Sequence, residues 1–87
     1  MSAPAGRILI VDDEEEIREI LSRLVQKEGF EPLAAPDGET ALELLRRESP
    51  DILLLDIRMP GLDGMEILRR AKELDRDLPV IMITSFG

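Results

Sequence analysis

The sequence predicts an α/β fold in which a parallel sheet is wrapped by helices, with elements in the order βαβαβαβ. Three observations carry this. Continuous apolar runs at 7–11, 51–56 and 80–84 suit strands buried on both faces, as in a parallel sheet. The segments between them place apolar residues at helical spacing. Breakers such as Gly29, Pro50 and Pro79 separate the two kinds of segment. Strands alternating with helices imply parallel pairing and right-handed crossovers.

The first strand is Arg7 to Val11, after a short flexible start over residues 1–6. It stops at Asp12-Asp13. From Glu14 to Lys27 the apolar positions Ile17, Ile20, Leu21, Leu24 and Val25 form an amphipathic stripe, with acids at the end where the helix dipole favours them. Gly29 is the expected stop. Glu31 to Ala35 is a second strand, which Pro32 confines to a strand start or a sheet edge. Asp37-Gly38 opens a second helix with Ala41, Leu42, Leu44 and Leu45 as its apolar side. Asp51 to Asp56 is the third strand, ending on a carboxylate. Pro60-Gly61 and Asp63-Gly64 mark a turn. The third helix is expected to turn Met65, Ile67, Leu68, Ala71 and Leu74 inward, and Val80 to Thr84 is the fourth strand.

Eighty-seven residues make one small domain, whose core must be built from aliphatic side chains because aromatics are 2% of the chain. The chain has no cysteine for a disulfide and no histidine for the usual zinc sites. A net charge of −8 argues against direct nucleic-acid binding. No signal-like or membrane-spanning apolar run is present, so a cytoplasmic location is expected.

Ligands of open parallel sheets bind beyond the carboxyl ends of the strands. This sequence places Asp12 and Asp13 there from the first strand, Asp56 from the third and Thr84 from the fourth. Two carboxylates ~5 Å apart at an effective dielectric of ~20 repel by roughly 3 kcal/mol. Keeping them together needs a cation or a protonated acid, and an all-oxygen site suits Mg²⁺. An aspartate after a strand also serves as a helix cap or turn former, and Asp12 or Asp13 taken singly would be read that way. The case for a site rests on several acids sharing one edge.

Ile8-Leu-Ile-Val-Asp-Asp-Glu14, Leu53-Leu-Leu-Asp-Ile-Arg-Met-Pro-Gly-Leu-Asp-Gly64 and Pro79-Val-Ile-Met-Ile-Thr84 resemble response-regulator receiver domains in order and spacing. The resemblance implies a flavodoxin-like, doubly wound parallel sheet with strand order 2-1-3-4. It implies Asp56 as phosphoacceptor, Asp13 as a direct Mg²⁺ ligand, and Asp12 acting mainly through water. The backbone carbonyl of Arg58 would complete the protein's coordination. Thr84 would be the switch hydroxyl, with Pro60, Asp63 and Gly64 shaping the adjacent loop. The implied donor is a phosphohistidine on a partner kinase or phosphotransfer protein, or a small acyl phosphate. The ending Ile83-Thr-Ser-Phe-Gly87 is similar to receivers on NtrC-like transcription activators. The family resemblance also implies an output domain in the full-length protein.

Complete receivers continue into a fifth strand and two further helices, so the chain reads as a partial domain over 1–87. The family's lysine after the fifth strand has no counterpart, since Lys27 and Lys72 lie in helices. Weaker phosphorylation is expected on that ground. A homodimer is expected through the exposed fourth strand or exchanged elements.

Rival enzyme readings lack their motifs. No Gly-x-x-x-x-Gly-Lys-Ser/Thr loop exists, Asp12-Asp13-Glu14 stands where a dinucleotide fold needs Gly-x-Gly-x-x-Gly, and Arg58 occupies the second-acid position of Asp-nucleophile phosphatases. The remaining alternative is a phosphorylation-incompetent fragment or interaction module that keeps the acidic site.

Overall fold

Strand β1 (Arg7–Val11) forms the middle of the molecule, paired in parallel with β2 (Glu31–Ala35) on one side and β3 (Ile52–Asp56) on the other. Strand β4 (Val80–Ile83) pairs in parallel with β3, giving the sheet order β2-β1-β3-β4. Helices α1 (Glu15–Lys27), α2 (Gly38–Glu48) and α3 (Gly64–Leu74) connect successive strands. The structure, a computed structural model, describes residues 5–56 and 64–83. The doubly wound, flavodoxin-like parallel sheet and its 2-1-3-4 order are those expected from the sequence.

Side chains alternate across the strands. Leu9, Val11, Leu53 and Leu55 point to one face, where they pack with Ala41, Leu42 and Leu45 of α2 and Ile67 and Ala71 of α3. Ile8 and Ile10 point to the other, where α1 lies against β1 and β2. Each fully buried aliphatic side chain of this kind contributes about 1.5–3 kcal/mol relative to leaving it in water. The two faces are covered unequally. On the α1 side Ile52 and Leu54 are half-buried and Ile81 is exposed. Pro32 sits in an edge strand, where its missing N–H costs no ladder bond.

Helix ends follow from local chemistry. The Asp37 carboxylate caps α2 by accepting the Thr40 N–H at 2.8 Å. Helix α1 closes with the Phe30 N–H on the Val25 carbonyl and the Gly29 N–H on the Gln26 carbonyl. That closure needs the left-handed φ of +92° that Gly29 adopts. Helix α2 ends instead on Ser49 at φ 46°, ψ 62°.

At the amino end of the sheet, the Arg7 N–H donates to the Asp51 carboxylate at 2.8 Å while the Asp51 N–H donates to the Arg7 carbonyl. The Arg7 guanidinium also reaches Glu48. The Ala5 N–H bonds the Gly29 carbonyl, and the Gly6 carbonyl accepts from Glu31.

Four helix positions differ from expectation. Met65 and Leu74 were expected to face inward but are 56% and 47% exposed. The buried side of α3 is Gly64, Ile67 and Ala71, and Met65 projects away from it. Leu74 lies two turns on from Ile67, but as the last residue of the helix it lines an open cleft of ≈ 240 Å³ with Leu45, Pro50 and Leu78. Likewise Ile20 and Leu24, part of the α1 stripe, are about half exposed. The stripe is wider than the sheet surface it covers.

Candidate functional site

The sheet register brings the acids together. Val11 pairs with Leu55, so the residues that follow, Asp12 and Asp56, leave the carboxyl edge side by side. Both are 4% exposed. Asp13 follows at the surface. Asp12, Asp13 and Asp56 each offer a carboxylate oxygen within 4.8 Å of the others, the three acids the sequence assigned to a cation.

Asp12 is held through three of its own groups. Its N–H donates to the Ala35 carbonyl of β2 at 3.2 Å. Its side-chain Oδ1 accepts the Glu14 N–H at 2.9 Å, closing a tight turn from strand to helix. Its carbonyl accepts from Arg18 Nη1 at 2.8 Å. Burial raises the Asp12 pKa above its usual value. The bond from the Glu14 amide works the other way, and the charges of Asp56, Asp13 and Glu14 push it further up. Among the described residues no buried side-chain nitrogen or oxygen lacks a hydrogen-bond partner.

Gly64 is buried at the start of α3. Arg58, Pro60, Asp63 and Thr84 lie outside the described residues. Sequence reasoning did not find Arg18 or Ala35. Arg18 reads as one of several charges on an exposed helix side, and no local pattern shows that Ala35 ends beside Asp12.

The fold and the site are thus those of an open α/β sheet with three carboxylates clustered at its carboxyl edge, where ligands of such folds bind. Residues 8–87 match the response regulator receiver domain family. The chain belongs to that family. It is 44% identical over 81 residues to sporulation initiation phosphotransferase F of Bacillus subtilis (strain 168), covering 93% of this chain and 65% of that protein. The chain thus spans just under two thirds of that relative's length. The N-terminal domain of a response regulator receiver protein from Methanoculleus marisnigri JR1 superposes with a TM-score of 0.88 at 39% identity, over 95% of this chain and 69% of that one. The response regulator TrrA of Thermotoga maritima, solved in complex with Mg²⁺-BeF, gives 0.87 at 40% identity, over 93% and 70%.

Proposed function

We propose that this chain is a phosphoacceptor module of a two-component system, taking a phosphoryl group on Asp56 from a phosphohistidine of a kinase or phosphotransfer protein. The observation that carries the reading is the meeting of Asp12, Asp13 and Asp56 at one sheet edge. The Mg²⁺-BeF complex of the related TrrA supports it.

The donor set fits Mg²⁺. Oxygens bound to one Mg²⁺ at ~2.1 Å stand up to ~4.2 Å apart, and the ion tends to keep several waters. Carboxylates spread over 4.8 Å meet this with small adjustments or through a bridging water. Asp13 and Asp56 would bind directly and Asp12 through water, with the Arg58 carbonyl as a further donor. Bound there, Mg²⁺ offsets charge on the phosphoryl oxygens and draws donor and acceptor together.

The chain's own residues do the rest. The Asp56 carboxylate attacks phosphorus in line, forming an acyl phosphate. The bond from phosphorus to the donor histidine nitrogen breaks, and its electron pair leaves with the imidazole. The Glu14 amide and the Ala35 carbonyl keep Asp12 in place beside it. Thr84 supplies the hydroxyl that bonds the transferred group, and Pro60, Asp63 and Gly64 shape the loop beyond Asp56. On this reading the chain is a regulatory acceptor of the cytoplasm rather than a conventional enzyme.

The test is incubation with Mg²⁺ and a small acyl phosphate, followed by intact mass, with Asp56→Asn alongside. A gain of one phosphoryl group in the parent alone supports the assignment. No gain in the parent would favour a module that keeps the acidic site without accepting phosphate.

A further inference from the structure

One long side chain closes the β1–α1 loop from the helix side. Arg18, in the first turn of α1, reaches back six residues and donates from Nη1 to the Asp12 carbonyl at 2.8 Å. That carbonyl belongs to the peptide plane joining Asp12 to Asp13. Because the plane is rigid, fixing the direction of its C=O also fixes how the chain enters Asp13. The other two bonds on Asp12 act elsewhere: Ala35 holds its N–H, and the Glu14 amide holds its side chain. Of these three, only the Arg18 bond acts on the plane between the two acids. It is also charge-assisted and partly buried, which makes it stronger than a neutral bond at the surface.

We propose that Arg18 is a positioning residue for the acidic site. By holding the Asp12 carbonyl, it sets the relative placement of the Asp12 and Asp13 carboxylates for a divalent cation. The proposal rests on the metal-site reading above and deepens it. Mg²⁺ demands near-ideal octahedral geometry, so a turned peptide plane costs affinity for it. Ca²⁺ accepts irregular coordination and tolerates the same error better. Groups one layer behind metal ligands act in this way elsewhere.

Calorimetric titration of the chain with Mg²⁺ and, separately, with Ca²⁺ tests it, beside thermal unfolding. Arg18→Met keeps the apolar stem and removes the donors; Arg18→Lys keeps one cationic donor on a shorter reach. Arg18→Met is expected to weaken Mg²⁺ binding about tenfold or more. Ca²⁺ binding should fall by less, and Arg18→Lys should recover part of the loss. Unchanged Mg²⁺ affinity, or equal losses for the two ions, would make Arg18 a merely structural residue and overturn the role. If Arg18→Met does not fold, Arg18→Lys decides. An unchanged ratio of Mg²⁺ to Ca²⁺ affinity in it overturns the proposal, and a ratio shifted against Mg²⁺ supports it. A parent chain that binds no Mg²⁺ would remove the metal-site reading and this role together.

Discussion

Asp12 and Asp56 stand side by side because Val11 and Leu55, the residues before them, are register partners in adjacent parallel strands. Both carboxylates are buried at the sheet edge, with Asp13 next to them. Sheet pairing therefore imposes the repulsion, and a side-chain rotation cannot remove it cheaply. The consequences can be measured in the metal-free chain.

Asp12→Asn is expected to stabilise the metal-free protein. The substitution keeps an Oδ1 acceptor for the Glu14 amide and removes a charge repelled by Asp13, Glu14 and Asp56. Repulsion of this kind is worth roughly 1–3 kcal/mol at an effective dielectric of ~20. Urea unfolding at neutral pH reads the difference. A less stable Asp12→Asn chain would show that the repulsion is already offset within the fold.

The pH dependence has two opposed parts. The Asp12 pKa is raised from 3.8, so the folded state holds its proton more tightly. Its contribution is full below 3.8 and is lost as the pH rises through the elevated folded value. Asp37, lowered from 3.8 by the Thr40 amide, contributes above 3.8 and loses this as the pH falls through its folded value. Glu66, held at about 2 by Arg69 and Arg70, behaves like Asp37, losing its contribution between 4.5 and about 2. Unfolding midpoints of parent and Asp12→Asn across mildly acidic pH should converge as the pH falls toward 3.8. A gap that stays constant would contradict the shift in Asp12.

Ser49→Gly should stabilise the chain. Ser49 ends α2 at φ 46°, a left-handed conformation that costs an L-residue with a Cβ, and Pro50 restricts it further. Glycine adopts it freely, and after its greater flexibility in the unfolded chain is counted the gain is about 0.5–1 kcal/mol. Thermal unfolding detects this. A lower midpoint would mean that the Ser49 side chain contributes more than its backbone costs.

Self-association is expected as concentration rises, since Ile20, Leu24 and Ile81 are each exposed by half or more. Light scattering should show a mass increasing toward that of a dimer, with Leu24→Glu shifting it back. A monomer mass at every concentration would dismiss the expectation.

The acids were legible because two apolar runs end on aspartates, and a parallel sheet sends such ends to one edge. The ends of β1 and β2 were legible for the same reason, since their apolar runs stop where Asp12 and Pro36 begin. What periodicity could not show was coverage. Met65, Leu74, Ile20 and Leu24 obey helical spacing, yet how much of a stripe is buried depends on the width of the surface opposite. Arg18 and Ala35 were illegible because their bonds to Asp12 run through backbone groups, which every residue carries and no motif marks.

The strand order has a consequence for how the protein is made. Strand β1 lies between β2 and β3, and β2 can join it early, from the next stretch of chain. Its second neighbour, β3, arrives only after α2 has been translated. Until then the far edge of Ile8–Val11 is open, and a nascent chain with an unpaired apolar edge is prone to wrong partners. Arrival of Leu53–Leu55 closes that edge and delivers Asp56 beside Asp12 in one step. A chain in which β3 has not yet paired with β1 therefore has no acidic site, because Asp56 has not reached Asp12.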